Sequence, residues 1–121
     1  MRLHHLALGA RDVERVATFY ASLFGLTELR RHHYESGLLR SIWLQVGELV
    51  LMVEETSEPA RHVPGVGAGP FLLAFAITDA DRPTFLTRLN EAGGTVESTT
   101  TYTTYFRDPE GNRVAVSSYP V

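Results

Sequence analysis

The sequence predicts an α+β fold of two βαβββ repeats, whose paired curved mixed sheets surround a cavity and carry the helices on their outer faces. Three observations carry this prediction. Apolar periodicity runs strand, helix and three strands in each half of the 121 residues. Asp12 and Asp79, which both precede helical patterns, are 67 positions apart, and the same offset places Leu8 on Phe75. Finally, the turn sequence at 108–111 joins two alternating runs as a closing hairpin.

Composition limits the chain to one domain and a short list of chemistries. With 44% apolar and 21% charged residues, we expect a single domain over 1–121, with repeat one at 1–56, a linker at 57–69 and repeat two at 70–121. The net charge of −3 and the scattered cations argue against nucleic acid as a partner. No apolar run is long enough to span a membrane, so we expect no membrane partner and a cytoplasmic protein.

The residue types that are missing exclude several reaction classes. There is no cysteine, which removes disulfides, thiolate nucleophiles and thiolate metal ligands. All eleven cations are arginine, which removes lysine Schiff-base chemistry. The remaining chemistry must use histidine, carboxylate, tyrosine, hydroxyl or arginine side chains.

The first repeat has clear boundaries. Residues 3–9 alternate as a strand, Asp12 is a typical N-cap, and Gly25 ends the helix that follows. The helical stripe consists of Val13, Val16, Ala17, Tyr20, Leu23 and Phe24. Turns at 35–37 and 47–48 separate strands predicted over 27–34, 38–46 and 49–54.

The second repeat follows a stretch at 56–70 that is rich in proline and glycine and cannot sustain a helix or a central strand. A strand over 71–78 leads to a helix that Asp79 or Asp81 caps, and the pair at 93–94 ends it. Strands over 95–98, 102–108 and 114–117 complete the repeat. The predicted buried stripe of this helix is Phe85, Leu86 and Leu89.

Two segments carry a family resemblance. LHHLALGARDVERVATFYASLFGL at the start and YFRDPEGNRVAV at the end resemble the signatures of the vicinal oxygen chelate superfamily. That superfamily includes glyoxalases, an epimerase, extradiol dioxygenases and the bleomycin and fosfomycin resistance proteins. The resemblance covers the whole chain and implies the fold above. It also implies a divalent metal held by side chains of the first, fourth, fifth and eighth strands.

The ligand positions that the resemblance implies are mostly apolar in this chain. His5 occupies the first-strand position, but Met52, Leu72 and Ala115 occupy the other three. One imidazole beside a thioether and two alkyl groups is a poor site for a hard cation. We therefore expect no metal and no other cofactor. A divalent ion held by His5 with Glu54 as a second ligand is the alternative.

The same positions suggest a ligand site. If the register is right, the cavity face presents Trp43 as a stacking platform, and Tyr105 and Arg107 orient an anionic or carbonyl-bearing ligand. The apolar residues at the former ligand positions, Met52, Leu72 and Ala115, then line the pocket around His5. Each residue also has a structural interpretation: a half-buried strand histidine, a core tryptophan, side chains that fill the cavity, and edge charges. The other histidines, His4, His32, His33 and His62, are interpreted as structural.

These observations favour a protein that binds a small apolar or aromatic molecule without metal. The first alternative is an enzyme of the glyoxalase superfamily, a lyase, isomerase or dioxygenase. It would use a reduced metal site at His5, or His5 and Tyr105 as metal-free catalytic residues. The second alternative is a non-catalytic interaction module. In each case we expect a homodimer.

Overall fold

Two units of nearly equal length make up the chain in this computed structural model, which describes residues 1–121. The units are Met1–Ala60 and Arg61–Val121, and their boundary lies inside the predicted linker. Each contains one helix and a four-stranded mixed sheet in βαβββ order, so the predicted α+β class and its two repeats are confirmed. Neither helix has the length and apolar character needed to cross a membrane.

The first unit consists of β1 (His5–Ala10), α1 (Val13–Phe24), β2 (Thr27–His33), β3 (Leu39–Val46) and β4 (Leu49–Glu55). Its sheet has the order β1-β4-β3-β2. β1 is parallel to β4, whereas the β2–β3 and β3–β4 pairs are antiparallel. The parallel pair follows from the helix that separates β1 from the three later strands, since such a pair needs a long crossover.

Helix α1 begins and ends as the sequence predicts. The Asp12 side chain accepts a hydrogen bond from the backbone N–H of Arg15 at 3.1 Å, and Gly25 takes a left-handed conformation with φ 63°. The helix buries its stripe against four side chains of β3 and β4, which are Ile42, Leu44, Leu51 and Val53. Phe19 is also buried and was not predicted, whereas Phe24 is only half-buried.

The second unit consists of β5 (Leu73–Ala76), α2 (Arg82–Glu91), β6 (Val96–Thr99), β7 (Thr103–Arg107) and β8 (Arg113–Ser117). Its sheet has the order β5-β8-β7-β6, with β5 parallel to β8 and the other pairs antiparallel. Phe85 of α2 packs on Phe106 of β7, with 5.6 Å between the ring centroids. The two sheets therefore repeat one topology.

The second helix departs from prediction in two ways. Asp81 is the N-cap residue, but its carboxylate accepts from the Thr78 hydroxyl at 2.9 Å and makes no capping bond to the helix. Leu86, predicted to be buried, is 37% exposed. The apolar stripe is therefore two residues, Phe85 and Leu89, because a ten-residue helix on a short sheet has little surface to cover.

The closing turn has the predicted geometry. The N–H of Gly111 donates to the Asp108 carbonyl at 2.9 Å, and Gly111 has φ 89°, a region that favours glycine. One oxygen of the Asp108 side chain accepts from the N–H groups of Glu110 and Asn112, each at 2.9 Å. This turn fixes the register of the β7–β8 hairpin, which carries several of the candidate site residues.

Candidate ligand-binding faces of the two sheets

In the first unit, the side chains of β1 alternate between two environments. Leu6, Leu8 and Ala10 point to the side covered by α1, and His5, Ala7 and Gly9 point to the opposite face of the sheet. Strand pairing gives this face, called uncovered because α1 does not pack on it, a row across all four strands. Its members, in sheet order, are Ala7, Met52, Trp43 and Arg30.

Trp43 and Met52 are brought together as direct partners on β3 and β4. The prediction that Trp43 faces away from the helix agrees with this register, since its neighbours Ile42 and Leu44 are the ones buried under α1. Trp43 and Met52 are both half-buried. This part of the face therefore offers an indole and a thioether chain as adjacent apolar surface.

The ring of His32 packs on Trp43, with 5.0 Å between ring centroids and 59° between their planes. Trp43 Nε1 and His32 Nε2 are both buried, and neither has a hydrogen-bond partner. A buried donor without an acceptor is costly, so such atoms often mark a place where another group binds. Sequence reasoning assigned His32 a structural role, and only the pairing of β2 with β3 reveals its position.

His5 is exposed at the start of β1, which corrects the interpretation of this residue as a half-buried strand histidine. Its Nδ1 is 2.9 Å from Nδ1 of His4, and the two rings meet edge to face. The expectation that His4 points away is corrected, because His4 precedes the strand and does not follow its alternation. The partner of His5 on β4 is Val50, so Met52 lies two residues further along, roughly 6.6 Å away.

The pairing of β1 with β4 also shows how far apart His5 and Glu54, the alternative pair of metal ligands, lie in the sheet. Glu54 is opposite Gly9, four residues beyond His5 on β1 and therefore about 13 Å away along the sheet. Side chains that stand on one face at that spacing do not converge on one ion. The pairing of His5 with Glu54 is not supported by this sheet.

In the second unit, the face opposite α2 contains the remaining predicted residues. Ala115 is opposite Tyr105 on one side and Ala74 on the other. Ala115 is fully buried, and its place in the lining of a pocket stays a prediction. Leu72 lies just before β5 and is 36% exposed.

The side chain of Arg107 donates its hydrogen bonds to other groups of the protein. Its Nε and Nη2 donate to Glu97 at 2.6 and 3.1 Å, and its Nη1 donates to the carbonyls of Val63 and Gly111. This contact lowers the pKa of the Glu97 carboxyl and raises the pKa of Arg107. With its donors occupied in this way, Arg107 fixes Glu97 and the nearby loops, a structural role that its sequence position did not suggest.

Arg113 was not among the residues that the sequence indicated. It is opposite Arg107 on the sheet, and its guanidinium carbon lies 4.7 Å from the centroid of the Tyr105 ring. Its Nε is buried without a hydrogen-bond partner. The interaction between Arg113 and Tyr105 places a cation and a phenol together on the face that was predicted to orient an anionic ligand.

The donor chemistry at the implied metal positions does not fit a divalent ion. Within each unit, no group of three or more histidine, aspartate or glutamate side chains is positioned to hold one. Met52 and Leu72 supply a thioether and an alkyl group, and Ala115 has no donor.

Comparison with known proteins places the chain in a family. The family model described as the Glyoxalase/Bleomycin resistance protein/Dioxygenase superfamily matches residues 2–116. No curated protein matches the sequence. Among solved structures, the fosfomycin resistance protein FosX from Mesorhizobium loti has a TM-score of 0.82 at 18% identity, covering 99% of this chain and 93% of its own.

Two further structures are similar. FosX from Listeria monocytogenes, in a variant bound to Mn(II) and 1S,2S-dihydroxypropylphosphonic acid, has a TM-score of 0.83 at 14% identity, with 99% and 94% of the two chains covered. A glyoxalase family protein from Enterococcus faecalis has a TM-score of 0.71 at 26% identity, with 96% of each chain covered. The two FosX structures share the fold, and the family model covers nearly the whole sequence. The chain therefore belongs to the glyoxalase, bleomycin resistance protein and dioxygenase superfamily.

Proposed function

We propose that this superfamily member binds a small apolar or aromatic molecule without a metal ion. The ligand lies on the uncovered face of the first sheet, against Trp43 and Met52. The indole provides a flat stacking surface, and the thioether chain adapts to ligands of different shapes.

The observation that carries the proposal is the buried Trp43 Nε1, which has no acceptor within the protein. A ligand that places a carbonyl or hydroxyl oxygen at this atom completes its hydrogen bonding, while its ring stacks on the indole. This favours an aromatic compound with an oxygen acceptor over a plain hydrocarbon. The donor set at the implied metal positions supports binding without an ion, because His5 is the only one of the four residues with a nitrogen or oxygen side-chain donor.

The chain contains one tryptophan, so its fluorescence reports on this face alone. A panel of aromatic antibiotics and metabolites is first screened by thermal shift, and each hit is then titrated against Trp43 fluorescence. We expect hits to change the emission and to bind with a stoichiometry of one per chain. Hits that stabilise the protein but leave the emission unchanged place the ligand elsewhere and contradict the proposal.

Two variants test the contact itself by calorimetry. Trp43→Phe keeps a ring but removes the N–H, so we expect affinity to fall roughly tenfold, the value of one hydrogen bond to a buried donor. Tyr119→Phe changes an aromatic residue that is 62% exposed in the second unit and serves as the control. Equal affinities in both variants and the unmodified protein would contradict a role for Trp43.

One observation favours an enzyme as the second candidate. The contact between His4 and His5 orients the His5 ring at an exposed position, where its free nitrogen can take a proton from a bound substrate. Turnover of glyoxalase-type substrates is measured with and without added Ni²⁺, Mn²⁺ or Fe²⁺. Activity that His5→Ala abolishes supports this candidate, whereas activity unchanged in His5→Ala excludes it.

A further inference from the structure

We propose that Arg113 binds the oxyanion group of a small organic molecule on the uncovered face of the second sheet. The inference goes beyond the proposed function, because it adds an anionic group to the ligand chemistry and rests on residues of the second unit. It stands independently of Trp43.

The charges on this face do not balance. Arg107 and Arg113 are directly opposite on β7 and β8, where two like charges repel. Glu97 neutralises Arg107 through two hydrogen bonds, at 2.6 and 3.1 Å. The charge of Arg113 also acts on Glu97, but no carboxylate forms an ion pair with Arg113, so its guanidinium has no hydrogen-bonded counterion.

The guanidinium of Arg113 is also held in a fixed orientation. It packs on the Tyr105 ring, with 4.7 Å between the guanidinium carbon and the ring centroid, and its Nε is buried. The terminal nitrogens have no hydrogen bond to the protein and are not among the buried unpaired atoms, so solvent reaches them. A guanidinium with two free, parallel N–H donors matches the geometry of a carboxylate or phosphonate. Because Tyr105 already restrains the side chain, anion binding loses less conformational entropy than it would at a mobile surface arginine.

The surroundings suggest an organic anion. Leu73 is opposite Val114, so the preceding Leu72 lies level with Arg113, and Leu72 is 36% exposed. An oxyanion at Arg113 therefore has apolar surface beside it for an attached hydrocarbon or aromatic group. The shared chemistry of the ligand is an oxyanion with an apolar substituent.

The first test observes Arg113 directly. In ¹⁵N-labelled protein, the Nε–H resonance of Arg113 is assigned by its loss in Arg113→Gln and followed during titration with benzoate, phenylphosphonate, inorganic phosphate and neutral benzamide. We expect saturable shifts with the organic anions, weaker binding of phosphate, and no shift with benzamide. A resonance that tens of millimolar benzoate and phenylphosphonate leave unmoved would overturn the proposal.

The second test uses variants and calorimetry with phenylphosphonate. Arg113→Gln should weaken binding about tenfold to a hundredfold, the effect of losing hydrogen bonds from a charged donor. Arg113→Lys keeps the charge without the paired donors, so its affinity for phenylphosphonate should lie between that of Arg113→Gln and that of the unmodified protein. Arg88→Gln removes an exposed arginine of α2 and should change nothing. If phenylphosphonate binds Arg113→Gln with the affinity of the unmodified protein, Arg113 is not the anion site.

Discussion

Removal of the Asp108 side chain should destabilise the second unit strongly, because this carboxylate organises the turn between β7 and β8. Asp108 is only 5% exposed. Its Oδ1 accepts from the N–H groups of Glu110 and Asn112 at 2.9 Å each, and its Oδ2 accepts from the Asn112 amide at 2.8 Å. Asp108→Ala leaves these donors without their acceptor.

The magnitude follows from those three bonds. Hydrogen bonds to a charged group contribute about 1.5–3 kcal/mol each, but bonds sharing one carboxylate are not additive, so we expect a loss of about 3 kcal/mol in total. For a chain of this size the midpoint of thermal unfolding should fall by on the order of 10 °C. Circular dichroism during heating and urea unfolding measure the two quantities.

Asp108→Asn is the matched control. It keeps an oxygen that can accept from both backbone N–H groups but loses the charge and the bond to the Asn112 side chain. We expect a loss of about 1 kcal/mol. If Asp108→Ala and Asp108→Asn destabilise the protein equally, or if neither costs more than a few tenths of a kcal/mol, the carboxylate does not organise the turn as described.

Four further predictions follow from the structure and the proposals. The Tyr34 hydroxyl donates to Glu55 at 2.8 Å, and this hydrogen bond raises the pKa of Tyr34 above its ordinary value of 10.0. Ultraviolet titration should show a lower Tyr34 pKa in Glu55→Gln. Because the Tyr34 pKa is raised in the folded state, the hydrogen bond to Glu55 stabilises the fold below pH 10, and this contribution is lost as pH rises through the folded-state pKa. Gly111→Ala should cost about 1–2 kcal/mol in chemical unfolding because of its positive φ, and a cost near zero would contradict this. Light scattering at tens of micromolar should give a homodimer mass, and a monomer mass refutes that expectation. Elemental analysis should find no stoichiometric divalent metal, whereas about one tightly held ion per chain would refute metal-free binding.

Much of the fold could be predicted because its signals are local. Strict alternation located the strands, and the Asp12 cap, the Gly25 terminator and the closing turn act within a few residues. The second repeat was less predictable, since α2 lacks a side-chain cap bond and β5 (Leu73–Ala76) is half the predicted length.

The candidate sites depend on contacts between strands, which a single sequence reveals only in part. Alternation was enough to place Trp43 away from α1. The position of His32 depends on an irregularity in the pairing of β2 between Glu28 and Arg30. No residue typical of a turn marks that irregularity in the sequence. Arg113 was missed because an arginine in a strand resembles an ordinary surface charge until its position over Tyr105 is known.

The central claim is that the face at Trp43 binds its ligand without a metal ion. The most direct measurement is a Trp43 fluorescence titration with the strongest hit from the panel, performed on protein dialysed against EDTA and repeated with added Mn²⁺. The account predicts saturable binding with the same dissociation constant in both samples. Binding that disappears after EDTA treatment and returns with Mn²⁺ would contradict it.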